Sequence, residues 1–261
     1  MARTLVSAAA RKRRFSQWRR FMRWIDTHSD SSWVFRGLGD TAFSLLPTVG
    51  RVDDYKLINE RAIFEIFKKR YVEFLPSPSL SDLDLLALAQ HHRLPTRLLD
   101  WTTNPLVAAY FAVTSLPSSR PMRFLTASGT VSRKTSEAVP QARHVAARIV
   151  AFRVRQRIVL EPNVDPFGVT EVGFITPRSL ASRIVNQSGV FSVHNEPYTP
   201  WAEPLLSADD IFDIPADMRT FFRQRLYYLG IEPQRIMGGL DGLGERLSWQ
   251  YERGIGLGAM K

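Results

Sequence analysis

Residues 83–113, LDLLALAQHHRLPTRLLDWTTNPLVAAYFAV, restrict the folding options of this chain more than any other stretch, because polar and charged groups run through a segment that otherwise reads as core. Leu85, Leu86, Leu88 and Ala89 recur at helical spacing and give way to Gln90, His91, His92 and Arg93, with Pro95 ending the helix. Ser81 stands at its N-cap, with Asp82 and Asp84 in the first turn complementing the helix dipole. A second helix over 105–113 starts behind Asn104, and Pro105 suits its first turn, where a missing N–H costs nothing. Between the helices, Arg97 and Asp100 sit among leucines and Trp101, which predicts that both are at least partly buried. A buried charge is costly unless paired, so these two are partners or bind something else.

A chain of 261 residues with ordinary apolar content can bury a full core, and one large domain is the expectation. No stretch approaches the roughly 18 apolar residues that a membrane span needs, and no apolar signal region follows Met1, so no membrane partner is expected. Cysteine is absent, which removes disulfides, thiolate metal ligands and a cysteine nucleophile, and fits a reducing cytoplasmic setting. The net charge of +10 is uneven: Arg11, Lys12, Arg13, Arg14, Arg19, Arg20 and Arg23 all precede the first acidic residue, Asp26. With Trp18, Phe21 and Trp24 interleaved, this segment could grip a phosphate backbone or a nucleobase, DNA or RNA. The competing reading is an amphipathic helix whose aromatics, at three- and four-residue spacing, pack on the body while the arginines face water.

The expected order is a helix over 12–28, a strand over 33–37, a helix over 54–75, a Pro-Ser loop at 76–79 and the two helices of the central stretch. A polar insertion rich in Ser and Thr occupies 120–145, strands are expected over 147–154 and 190–193, and 157–161 is read as a continuation after a kink. A short segment lies at 174–177, and helices are expected over 217–228, with Gly230 at the cap, and over 240–251. No regular βαβ rhythm is present. The fold class read from this pattern is α+β, a single domain with a mixed or antiparallel small sheet flanked by helices. Its division is a basic aromatic helical segment over 1–30 packed on the body, a main domain over 31–250 and a tail over 251–261.

Several residues carry chemistry. Arg36 and Gly37 end the first strand, where a guanidinium fork can meet a phosphate and a glycine permits close approach; the alternative is an ion pair from Arg36 to Asp100 or Asp40. His91 and His92 point about 100° apart on a helix, and no HExxH or Cys/His spacing accompanies them, so no metal is expected. One of the two can orient a substrate or move a proton. Thr96, Arg97, Asp100, Thr102 and Thr103 form the densest polar cluster, directly ahead of a helix N-terminus that suits an anion. Capping, turn chemistry and a structural Arg97–Asp100 pair account for the same residues. Gln187 could read an amide or hydroxyl, and Glu171 and Glu196 are the other late polar candidates. The glycines at 238, 239, 242 and 244 form neither a GxGxxG nor a Walker loop, and no GxSxG elbow is present.

The segments WVFRG (33–37), LLPTVGR (45–51), AQHHRLPTRLLDWTTNPLVAAYFAV (89–113), RIVNQSGVFSVH (183–194) and LYYLGIEPQRIMGGLDGLGERL (226–247) resemble the FRG domain family, over roughly residues 15–250. The layout also looks like a distant ADP-ribosyltransferase, in which an early strand carries an arginine that holds NAD, a second strand carries hydroxyl residues ahead of a helix, and a late strand supplies a glutamate. That resemblance implies NAD as substrate, contacted by Arg36, Gly37, Gln90, Thr96, Thr102 and Thr103, with Arg36, His91, Arg97, Asp100, Gln187 and Glu196 in the catalytic set. The late strand departs from the pattern: no glutamate stands two residues beyond Gln187, and Glu196 would serve only in a different register. The function so implied is a bacterial toxin or antiphage effector that modifies an anionic target. The rivals are a non-catalytic module binding nucleic acid or a nucleotide, and a metal-independent hydrolase with His91 or His92 as base.

Overall fold

Short runs of β-branched and aromatic residues build the sheet, and their alternation decides what each face meets. The computed structural model describes residues 7–52, 54–75, 80–115, 122–125, 131–134, 145–155, 158–178 and 188–253. The strands are β1 (Trp33–Leu38), β2 (Leu98–Thr102), β3 (Met122–Leu125), β4 (Val131–Lys134), β5 (Ala147–Arg153), β6 (Gly173–Ile175), β7 (Gly189–Val193) and β8 (Ile211–Ile214). Six of them form one sheet in the order β6-β7-β2-β1-β5-β8, and β3 and β4 pair separately. Every pairing in the six-stranded sheet is antiparallel. The fold is thus α+β, and of the mixed and antiparallel options the sheet takes the antiparallel one.

The helices are α1 (Ala8–Asp26), α2 (Leu57–Arg70), α3 (Asp82–His91), α4 (Pro105–Thr114), α5 (Arg219–Tyr228), α6 (Pro233–Met237) and α7 (Gly239–Arg253). One face of the sheet, carrying Phe35, Ile149, Ala151, Phe212 and Ile214, packs against α1, α4 and α5. The residues between them, Val34, Leu38 and Val150, turn to the opposite face and join Leu99, Trp101 and Phe174. β5 therefore buries Ile149, Val150 and Ala151 in succession, as a strand covered on both sides must. A third cluster seats α2 and α3 on Leu98, Ile175, Phe191 and Val193.

Local chemistry fixes the ends. Ser81 accepts the N–H of Asp84 and Asn104 that of Leu106, the expected N-caps of α3 and α4. Gly230, at φ +79°, follows the end of α5 and lets Ile231 N–H return to the Leu226 carbonyl. α1 begins at Ala8 rather than 12, because Ser7 caps it and accepts from Ala10 N–H. α2 is shorter than 54–75, and Tyr71–Glu73 winds on as a tighter 3₁₀ turn. β8 was not anticipated; four residues carry too short an alternation to stand out. The expected continuation over 157–161 reduces to Val159 bridging Phe174.

α1 settles its own two readings for the aromatics. Trp18 and Phe21 are buried, with ring centroids 5.2 and 5.5 Å from Phe222. Its cationic side chains lie outward, apart from the half-buried Arg14.

Gly37 positions α4. A Cβ there would lie 2.1 Å from the Ala108 carbonyl oxygen and 2.5 Å from Ala112 N, so the helix backbone rests directly on β1. Gly37→Ala is expected to cost about 1–3 kcal/mol, the usual range for overpacking, seen as a lower urea midpoint. An unchanged midpoint would mean that α4 shifts freely.

Candidate functional site

The sheet comes apart at its centre. β1 pairs with β5 along its whole length, from Trp33↔Arg153 to Leu38↔Arg148. With β2 it pairs at Phe35↔Thr102 alone. Continuing that antiparallel register would set Gly37 opposite Asp100, but the ladder stops first. A cavity of about 480 Å³ opens there, walled by Arg36 and Gly37 of β1, Asp100 and Thr102 of β2, the end of α3 and the Phe111 face of α4.

Arg36 reaches into the gap. Nη1 donates to the Asp100 carbonyl oxygen and lies 3.8 Å from Asp100 Oδ2, while Nε is buried with no hydrogen-bond partner among the described residues. Burial pulls the guanidinium below its ordinary pKa, and Asp100 offsets part of that. Arg51 sits close enough to feel the same charge. Its own pKa is pushed down to about 10, by burial first and then by repulsion from Arg36, with Asp100 opposing. Arg51 ends the 3₁₀ turn Thr48–Arg51 and donates from Nε to the Leu46 carbonyl at 3.0 Å. Arg51 is not among the cavity-lining residues, whereas Arg93 lines the cavity from a left-handed backbone at φ +70°. That position closes α3, with Leu94 N–H returning to the Ala89 carbonyl, and glycine would occupy it at less cost. Against the two lining arginines, Arg36 and Arg93, Asp100 is the one carboxylate among the described lining residues.

Asp100 is held from the other side. The buried Thr96 hydroxyl donates to Gln90 Oε1, which fixes the amide so that Nε2 donates to Asp100 Oδ1 at 2.7 Å. The Asp100 side chain remains 64% exposed. Gln90, Thr96 and Asp100, expected separately, thus form one chain ending in the cavity. His91 lines the same cavity, its ring edge-on to His92 at 5.0 Å.

Arg97 is brought elsewhere, and the expected Arg97–Asp100 pair does not form. Three residues apart on extended chain, the two face opposite sides. Arg97 is 1% exposed and saturates all five N–H groups: Nε and Nη2 on Glu60 at 2.9 and 2.6 Å, Nη2 also on Tyr55 at 3.2 Å, and Nη1 on the Pro166 and His194 carbonyls, each at 3.2 Å. It has no donor left for a ligand. Thr102 lines the cavity, but its Oγ1 accepts the Asn104 N–H. Thr103 is exposed and binds the Ser188 carbonyl through its backbone N–H. The α4 N-terminus is therefore occupied by capping rather than laid open to an anion. Glu196 is exposed beyond the far end of β7 and is not among the cavity-lining residues. Gln187 lies outside the described residues. Arg11, Lys12, Arg19 and Arg20 face solvent on α1, Arg20 over the Phe212 ring, and Arg13 is paired with Asp217 at 2.6 Å.

Sequence reasoning missed Arg51, Arg93, Phe111 and His194. Arg51 and Arg93 are surface-like residue types in polar turns; only the folded chain brings them beside Arg36. His194 is buried, and its Nε2 lies 2.8 Å from the Ser192 hydroxyl, which itself accepts from Trp101 Nε1 at 2.9 Å. Burial, then the charges of Arg36 and Arg97, push its pKa down to about 3 from 6.5. The native ring stays neutral while the unfolded chain takes up a proton below pH 6.5, so stability is lost as pH falls from 6.5 towards 3. The slope from this one group approaches about 1.4 kcal/mol per pH unit. His194→Gln is expected to flatten that limb in urea midpoints recorded from pH 7 to 4; an equally steep limb would mean that the ring does not bury neutral.

Among the described residues no three His, Asp or Glu side chains are placed to hold a metal ion, and no helix is long and apolar enough to cross a membrane. The similarity to a known family falls on the segment that builds the cavity. Residues 31–120 match the FRG domain. That FRG segment contains β1, α2, α3, β2 and α4, and with them every described cavity-lining residue except Phe191. The match is narrower than the 15–250 over which the resemblance was read. No curated protein matches the chain, and no solved structure does.

Proposed function

We propose that the FRG cavity binds a nucleotide through its phosphates, with NAD as the nucleotide and transfer of ADP-ribose as the reaction. The observation that carries this reading is Arg36, a largely buried guanidinium on the cavity wall whose Nε has no partner among the described residues, with Arg51, outside the lining, close enough to feel its charge and Asp100 as their shared carboxylate. Buried cations need neutralising partners, and a diphosphate supplies charge and paired acceptors suited to guanidinium forks. A cavity of about 480 Å³ also lies in the usual size range of small-molecule sites. For transfer, Asp100 offers the carboxylate that Glu196 does not: it can offset positive charge at the ribosyl carbon as nicotinamide departs with the bonding electrons. The acceptor then bonds to that carbon and releases its proton. A toxin or antiphage effector working in the cytoplasm is the setting we infer for such an activity.

The test is incubation of the purified chain with labelled NAD, alone and with DNA, RNA or lysate, followed by mass spectrometry. Nicotinamide release or label transfer supports the reading. A folded chain that neither binds nor consumes NAD removes it. The exposed Arg11, Lys12 and Arg19 favour a second reading, docking of a nucleic-acid partner on α1. Their replacement by Ser should then weaken DNA or RNA binding and flatten its salt dependence.

A further inference from the structure

We infer that Asp100, set by Gln90 and Thr96, selects a ligand that carries hydroxyl groups beside its phosphates, that is, the ribose of a nucleotide rather than a bare polyphosphate. This deepens the nucleotide reading and rests on it. A carboxylate inside an anion site opposes phosphate binding, so its presence needs a reason. The Arg36 contact does not supply a complete one: Nη1 bonds the Asp100 main-chain carbonyl, while Oδ2 stands 3.8 Å away. Nor is the carboxylate held as a closed structural pair, since its side chain is 64% exposed at the cavity wall.

What the structure does fix is its orientation. Thr96 is fully buried, and its hydroxyl donates to Gln90 Oε1. Gln90 therefore turns Nε2 towards Asp100, and that bond, at 2.7 Å, occupies Oδ1. Oδ2 is left as an acceptor on the cavity wall, held within reach of the guanidinium that would carry the phosphate. An ionised carboxylate accepts and cannot donate. The complementary ligand group is a donor without charge, set one sugar away from a phosphate. Ribose hydroxyls meet that description, and phosphate oxygens do not. A site built to bond a hydroxyl discriminates strongly against an analogue that lacks it.

The test is calorimetric titration of the full chain with ADP, 2′,3′-dideoxy-ADP and ADP-ribose. The wild type should prefer the hydroxylated member of at least one of the two pairs, ADP over dideoxy-ADP or ADP-ribose over ADP. The expected preference is about ten- to a hundredfold, the range for one hydrogen bond to a charged acceptor. Asp100→Asn should erase it, while dideoxy-ADP binds as well as before or better because a negative charge has gone. Gln90→Leu should shrink the ratio of the paired affinities, a readout that a general loss of binding would leave alone, which marks Gln90 as a positioning residue. Equal affinity of the wild type for both members of each pair, or a preference that survives Asp100→Asn, overturns the inference and leaves nucleotide binding standing. Failure of the wild type to bind all three removes the nucleotide reading and this inference together.

Discussion

Arg97→Ala is expected to destabilise the protein by about 3–5 kcal/mol, the usual cost of breaking a buried ion pair. The substitution strands Glu60, only 3% exposed, in the interior, and leaves the Pro166 and His194 carbonyls without their donor. It also removes the guanidinium that lies 4.7 Å over the Phe167 ring. Urea unfolding followed by tryptophan fluorescence measures the loss. Should the variant fail to fold, Glu60→Gln reports on the same pair, since it keeps the shape and lifts the charge. The double change Arg97→Met with Glu60→Leu should recover a large part of the loss, as apolar replacements of buried pairs often do. A loss below about 1 kcal/mol in the single variants would place the pair with surface bridges, contrary to its burial.

Arg36→Ala should do the reverse. Its guanidinium makes one hydrogen bond among the described residues, leaves Nε unpaired and repels Arg51. Removing it takes away an interaction that favours the native state little, so the urea midpoint should move by less than about 1 kcal/mol, as for other sites where strain accompanies function. Nucleotide affinity should fall about a hundredfold, within the 2–5 kcal/mol expected for truncating one partner of a desolvated charge pair. Binding that survives in a folded Arg36→Ala variant would detach the cavity from the ligand. A fall in stability matching that of Arg97→Ala would make Arg36 a structural residue instead.

The contrast between these two arginines shows what could be read from the chain. Both sit among apolar neighbours, and local sequence marks both as buried charges in need of partners. Arg36, Asp100 and Gln90 were legible because a strand end and a helix end each present polar groups at a boundary. The partner of Arg97 was not, because Glu60 lies 37 positions away, on α2, and nothing near either residue announces the other. Arg51 escaped for the same reason: its effect depends on distance to Arg36, which only the folded chain sets. The α+β class, with a mixed or antiparallel sheet flanked by helices, was legible from the lack of a βαβ rhythm, whereas the choice of antiparallel pairing was not. The four residues of β8 were too short to register. Glu196 lies beyond β7, which ends at Val193, and is not among the described cavity-lining residues.

The interrupted ladder between β1 and β2 redistributes mechanical load. Two three-stranded halves, β6-β7-β2 and β1-β5-β8, meet through one residue pair and the reach of one arginine. What keeps them in one plane is the layer beneath, where Trp101 of one half lies 6.3 Å from Phe152 of the other, Phe174 stacks on Phe152 at 5.7 Å, and Trp201 sits edge-on to both Trp101 and Phe152. Those rings act as a keel. Trp101 also lines the cavity, so a change in the packing of Phe152, Phe174 or Trp201 reaches the site through that ring, and the tightness of the slot is tied to the aromatic layer that joins the two halves.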